Sequence, residues 1–165
     1  RWLVDLSPMR PRNRNSRFEE CEGRGPIPGF WISPREAAYV IDRLRDGDGT
    51  FIRVRATRRS PYLVITGQDP LHTLEGVPVT VHGTIRPHGR GDPTLTVYDV
   101  VGEGGRARVY SNRAKVSGEW ADLAVRVDKV LHPSPGDNFS LGLVRVEAGD
   151  WFDVRELSLF VGRLP

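Results

Sequence analysis

Phe51-Ile52-Arg53-Val54-Arg55-Ala56 alternates apolar and charged residues along its second half. In a strand, successive side chains point to opposite faces, so Ile52, Val54 and Ala56 share one face and Arg53 and Arg55 the other. Val77 to Ile85 repeats the pattern, with Val77, Val79, Val81 and Ile85 on one side and Thr80, His82 and Thr84 on the other. Outward from these stretches, further runs follow at 62–66, 94–101, 107–111, 120–130, 139–146 and 151–161. Turn residues such as Gly104-Gly105, Pro135-Gly136-Asp137 and Gly149-Asp150 bound them. About eight strands at this spacing, with no long amphipathic helix after Thr50, predict an all-β sandwich or barrel.

The 165 residues suit one domain, and 38% hydrophobic with 27% charged residues is the composition of a folded globular chain. No apolar run approaches the roughly 20 residues that a membrane helix needs. A start at Arg1 without Met or signal-peptide pattern fits a mature or excised segment. The single cysteine, Cys21, excludes an intramolecular disulfide and a multi-cysteine zinc site. Of the 24 basic residues only Lys115 and Lys129 are lysine. Residues 1–17 carry +4 against +3 for the whole chain, so the other 148 sum to −1. The basic character belongs to a Pro/Arg-rich arm at 1–16, ahead of a domain at 17–165. Such an arm reads as a solvated linker or as a contact for an acidic partner. The domain lacks the broad basic surface of a duplex binder, so nucleic acid is not an expected partner.

One segment reads two ways. Ser33-Pro34-Arg35-Glu36 has an N-cap serine, a proline at the first helical position and a glutamate three residues after the cap. Ala37, Val40, Ile41 and Leu44 follow at helical spacing, and Gly47 stands at a C-cap position, which together predict a helix over 34–45. The competing reading is a strand over Tyr39-Val40-Ile41-Asp42 that turns at Asp46-Gly47-Asp48-Gly49 into Phe51.

Near the start stand Asn15-Ser16-Arg17-Phe18-Glu19-Glu20, Gly25-Pro26-Ile27-Pro28-Gly29-Phe30-Trp31 and Asp48-Gly49-Thr50-Phe51-Ile52-Arg53-Val54. Leu74-Glu75-Gly76-Val77-Pro78-Val79-Thr80-Val81, Gly118-Glu119-Trp120-Ala121-Asp122-Leu123-Ala124-Val125 and Phe152-Asp153-Val154-Arg155-Glu156-Leu157-Ser158-Leu159 follow. In order and spacing these resemble the strands of bacterial jelly-roll carbohydrate-binding modules, of galactose-binding-like β-sandwich type, over about residues 15–162. The resemblance implies a two-sheet antiparallel jelly roll and places a first strand at the Asn15–Glu20 motif. It favours the strand at 39–46 over the helix. It implies a carbohydrate partner and an extracellular or surface-associated setting.

Modules of this kind bind sugar on a concave sheet face or in end loops, using an aromatic platform and planar polar groups. Thr80, His82, Thr84 and Arg86 form the polar face of one strand, with Thr96, Tyr98, Arg53 and Arg55 as expected neighbours. Trp151 is the expected rim platform, whereas Trp31 and Trp120 read as core. The competing account of this face is a solvated outer sheet surface, where Thr and Arg are common. The resemblance also implies a structural calcium with Glu19 and Glu156 as ligands, although Arg155 departs from the family's adjacent acidic pair. His72, His82, His88 and His132 show no ligand spacing, and no Gly-x-Ser-x-Gly elbow occurs, so enzymatic chemistry has no foothold. Arg90-Gly91-Asp92 reads as a turn between strands. Two functions stay open: a non-catalytic glycan-binding module, and a structural jelly roll of a virion, filament or surface assembly whose arm contacts other copies of the chain.

Overall fold

The computed structural model describes residues 11–20, 27–33, 39–67, 74, 76–88, 91–100, 107–113, 118–130 and 138–162. Ten strands occur in the order β1 (Phe30–Ser33), β2 (Tyr39–Asp46), β3 (Gly49–Ala56), β4 (Ser60–Gly67) and β5 (Val79–His88). Then follow β6 (Thr94–Val100), β7 (Ala107–Arg113), β8 (Ala121–Val127), β9 (Asn138–Val146) and β10 (Trp151–Val161). They form two antiparallel five-stranded sheets, a front sheet β1-β4-β9-β6-β7 and a back sheet β2-β3-β10-β5-β8. This is the two-sheet jelly-roll sandwich that the sequence implies.

Alternation decides which face each strand buries. Ile52, Val54 and Ala56 of β3 and Val79, Val81 and Ile85 of β5 meet Leu63, Ile65, Leu141 and Leu143 of the front sheet in one core. Complete burial of a side chain of this size contributes about 1.5–3 kcal/mol. Gly83 keeps the two layers close, because a Cβ there would run into Leu141 of the facing sheet; a Cβ at Gly67 would strike the ring of Phe139 on the neighbouring strand β9.

The segment with two readings is a strand. β2 pairs with β3 from Tyr39 opposite Ala56 to Asp46 opposite Gly49. Asp46 Oδ1 accepts from the Asp48 amide at 3.1 Å and Gly49 takes φ 131°, which closes the turn. Eight paired residues and the burial of Ile41 outweigh the local helix preference. The proposed cap and first turn at 34–38 lie outside the described residues.

Two expectations are corrected. The Asn15–Glu20 motif is a succession of turns, not a strand, with Asn15 and Phe18 at φ 55° and 57°. A left-handed phenylalanine is strained. Phe18 is held there by full burial, against Phe30 with ring centroids 5.0 Å apart. The sequence suggests a hairpin loop at Gly91-Asp92, but β5 before it lies in the back sheet and β6 after it in the front sheet, so these two strands form no hairpin.

The end of the arm is part of the sheet edge. β3 pairs with β10 only over Trp151–Val154, and beyond that the edge of β10 is met by residues 12–16. The Arg12 amide donates to the Leu159 carbonyl at 2.7 Å, and the Leu157 amide to the Ser16 carbonyl at 2.9 Å. Buried Asn13 donates from Nδ2 to the Leu157 carbonyl at 2.8 Å and accepts from the Leu159 amide at 2.7 Å. A domain boundary at 16/17 therefore cuts through backbone pairing; residues 1–10 lie outside the described residues. Asn13→Ala leaves two buried backbone groups of β10 without partners and should lower unfolding stability by about 2 kcal/mol. Urea unfolding followed by tryptophan fluorescence measures this.

Candidate functional site

The outer face of the front sheet carries a groove of about 330 Å³. Register lays out its floor in rows: Tyr62 beside Val144, then Val64, Gly142, Thr94 and Arg113, then Thr66, Ser140 and Thr96, and finally Tyr98 opposite Asn138. The floor is low because Gly142 has no side chain; a Cβ there would strike the backbone of Leu63 and Val64. Thr66, Thr96 and Ser140 are nearly buried, and no other described residue engages the hydroxyls of these three or of Thr94. Tyr62 and Tyr98, at opposite ends, are exposed large aromatics at 44% and 36%. Six residues of β9 separate their rows, about 20 Å at 3.4 Å per residue.

The outer face of the back sheet is a different surface. Asp153 of β10 is wholly buried between Arg53 of β3 and Arg86 of β5. Arg53 donates from Nε and Nη2 to the two carboxylate oxygens at 2.8 and 3.1 Å, and Arg86 donates from Nη2 and Nε to Oδ2 at 2.7 and 3.0 Å. The Arg53 guanidinium lies 3.6 Å from the Trp151 ring centroid, and His88 stacks on the same indole at 3.5 Å. Burial holds His88 below the ordinary imidazole value, with Arg86 and Arg53 reinforcing the shift against the pull of Asp153. Trp120, expected in the core, lies outside it. Arg86 and Arg155 sit 4.6 and 4.2 Å from its ring, and Phe51 meets it edge-on at 5.6 Å.

The expected sugar-binding residues are thus divided between two faces. Arg53, Arg55, Thr80, His82, Arg86 and Trp151 belong to the back sheet, whereas Thr96 and Tyr98 belong to the front. Alternation identified each outward face but not which strands would be neighbours. Thr80 is fully buried and donates its hydroxyl to the Gly162 carbonyl at 2.9 Å. Arg55 is exposed, opposite Trp151 in register. Trp31 lies opposite Thr66 in backbone register. Tyr62, Thr66, Thr94, Arg113 and Ser140 were missed, although Tyr62 and the runs of Thr and Ser on strands were the available signals.

Glu19 and Glu156 do line one cleft, with Arg17, Asp48, Gly49, Thr50 and Arg155. A bulge between Val154 and Glu156 turns both Arg155 and Glu156 outward. Arg155 pairs with Asp46 at 2.8 Å and Asp48 at 3.6 Å. Arg17 lies 3.6 Å from Glu156, whose other oxygen accepts from the Ser158 hydroxyl at 2.6 Å. Two guanidinium groups in the cleft, and a Glu156 carboxylate already engaged by Ser158, His82 and Arg17, do not fit a calcium ion, which needs six to eight oxygens. No group of three or more metal-ligating side chains occurs among the described residues.

His82 lies 3.6 Å from Glu156 and 3.5 Å from Asp122. Hydrogen-bonding attraction to Glu156 outweighs burial and raises the imidazole above its ordinary value. The same interaction with His82, aided by Ser158, lowers Glu156 against the effect of burial. The raised His82 stabilises the fold fully below its unfolded value of 6.5 and loses that contribution as pH rises through its folded value. The lowered Glu156 stabilises above its unfolded value of 4.5 and loses that contribution as pH falls through its folded value. His82→Gln should therefore cost most stability between pH 4.5 and 6.5 and progressively less above, as read from urea midpoints across that range. Asp153→Ala strands two guanidinium groups and should cost about 3–5 kcal/mol in the same assay.

No family model and no curated protein sequence matches the chain. Solved structures do match in fold. TmCBM61, described in complex with β-1,4-galactotriose, is 18% identical, with 93% of this chain and 99% of that chain covered and a TM-score of 0.63. The CBM22-1 xylan-binding domain from Paenibacillus barcinonensis Xyn10C is 14% identical, with 86% and 90% covered and a TM-score of 0.60. The enzymatically active domain of bacteriophage CBA120 tailspike protein 4 is 8% identical, with 92% of this chain but 21% of that chain covered and a TM-score of 0.64. The chain has the jelly-roll β-sandwich fold of carbohydrate-binding modules.

Proposed function

We propose that this chain is a non-catalytic glycan-binding module, an accessory part of a larger extracellular or surface protein, and that it holds a sugar chain along the front-sheet groove. The observation that carries this reading is the floor of hydroxyls that no other described residue engages, with an exposed tyrosine at each end. Sugar rings present apolar faces that pack on phenol rings and hydroxyls that both donate to and accept from Thr and Ser. A span of about 20 Å suits an oligosaccharide better than a single ring. The described lining has no carboxylate, histidine or cysteine to serve as acid, base or nucleophile, which supports a binding role. The galactotriose complex and the xylan-binding domain of the same fold add support.

A structural role in an assembly is the second reading; the same fold occurs within a segment, about a fifth, of a phage tailspike chain. Because residues 12–16 pair with β10, the connector in that reading is reduced to residues 1–10. Light scattering on the chain with and without those ten residues separates the two: a monomer in both cases removes the structural reading.

Tyr62→Ala and Tyr98→Ala should each weaken oligosaccharide binding by about tenfold, the usual loss at a central aromatic contact, without lowering thermal stability. Calorimetric titration with β-1,4-galacto- and xylo-oligosaccharides measures the first, and Trp151→Ala on the back sheet should leave affinity unchanged. Binding that survives both tyrosine substitutions overturns the front-sheet groove.

A further inference from the structure

We propose that the groove is built for an anionic sugar chain whose carboxylate or sulfate pairs with Arg113; this rests on the groove being the glycan site. Arg113 closes the row in which Gly142 makes the floor lowest, next to Thr94 across the β6–β7 pairing. It is the one charged residue in the described lining, and its side chain is exposed. Among the described residues it has no carboxylate partner.

Exposed Arg45, Arg55 and Arg145 likewise have no ion pair among the described residues, but Arg113 is the one that stands in the groove. Arg14 faces Glu20, Arg53 and Arg86 share Asp153, Arg59 faces Glu147, and Arg155 faces Asp46. These arginines are neutralised by the fold. Arg113 has no carboxylate partner among the described residues and stands in a concave groove lined by Tyr62, Val64, Val144 and Tyr98, a shape that focuses field lines on an approaching anion. No carboxylate in the described lining opposes an incoming anion. A guanidinium offers a planar fork of donors that matches a carboxylate or sulfate in two parallel hydrogen bonds, whereas a neutral hydroxyl takes only one and leaves the charge unbalanced.

The test compares three oligosaccharides of equal length by calorimetric titration: a galacturonate chain, a sulfated galactose chain and a neutral β-1,4-galactose chain. One of the anionic chains should bind about tenfold tighter than the neutral one, the gain of a charge-assisted over a neutral hydrogen bond, and the preferred chain identifies the anion. Arg113→Gln should abolish that preference, bringing the anionic and neutral chains to equal affinity, and added salt should weaken only the anionic complex of the unsubstituted protein. Equal affinity for all three chains, lost on Tyr62→Ala, overturns the charge preference and leaves the groove as glycan site. An anionic preference unchanged in Arg113→Gln also overturns the assignment. Binding of none of the three, nor of xylo-oligosaccharides, overturns the glycan reading together with this one.

Discussion

The backbone of β10 is shared among three partners, and the architecture of the back sheet follows from how they divide it. β5 runs along its whole length on one side. On the other side β3 takes Trp151–Val154, and the chain at 12–16 takes the stretch beyond the bulge. A strand has one donor and one acceptor per residue, and buried groups left unpaired cost free energy, so each edge needs a continuous partner. The bulge sets where the handover occurs. It also turns Arg155 and Glu156 to the same face, which brings Arg155 to Asp46 and Glu156 to His82. The N-terminal chain thus completes the sheet, and its left-handed Phe18 drops into the core as the segment leaves β10.

The two outer faces solve opposite problems. On the back sheet the strands bring Arg53, Arg86 and Asp153 into one row, and the long arginine stems then cover Trp151, Trp120 and Phe51. Charge and aromatic surface are both consumed internally, so a ligand would have to displace bidentate pairs to reach them. On the front sheet the corresponding positions are Thr, Ser, Val and Gly. The hydroxyls of Thr66, Thr94, Thr96 and Ser140 are engaged by no other described residue, so these polar groups stay available to a ligand. Gly142 sets the depth.

In the cleft at Glu19 and Glu156 the protein's own guanidinium groups meet part of the carboxylate charge. Arg155 and Arg17 bring positive charge on covalent stems to the positions where the family resemblance places metal ligands. A guanidinium spreads its charge over several directed donors, and so it binds carboxylates at fixed angles, while a calcium ion needs a near-spherical shell of oxygens. His82 adds a charge that depends on pH.

Alternating apolar and polar residues along β3 and β5 made the all-β class and the inward set of those two strands legible in the sequence, because side-chain direction has a fixed period of two. Ile52, Val54, Val79, Val81 and Ile85 lie inside on that ground alone. The turn at Asp46–Gly49 was legible too, whereas the choice between helix and strand ahead of it needed β3 as a partner. Strand neighbours are a property of topology, which no local pattern carries. Tyr98 and His82 therefore read as one face in the sequence and stand on opposite faces of the molecule. The burial of Phe18 follows the sequence reading, which pairs it with Leu157 and Leu159, but the turns that carry it there are decided by the edge of β10, more than a hundred residues away in the chain.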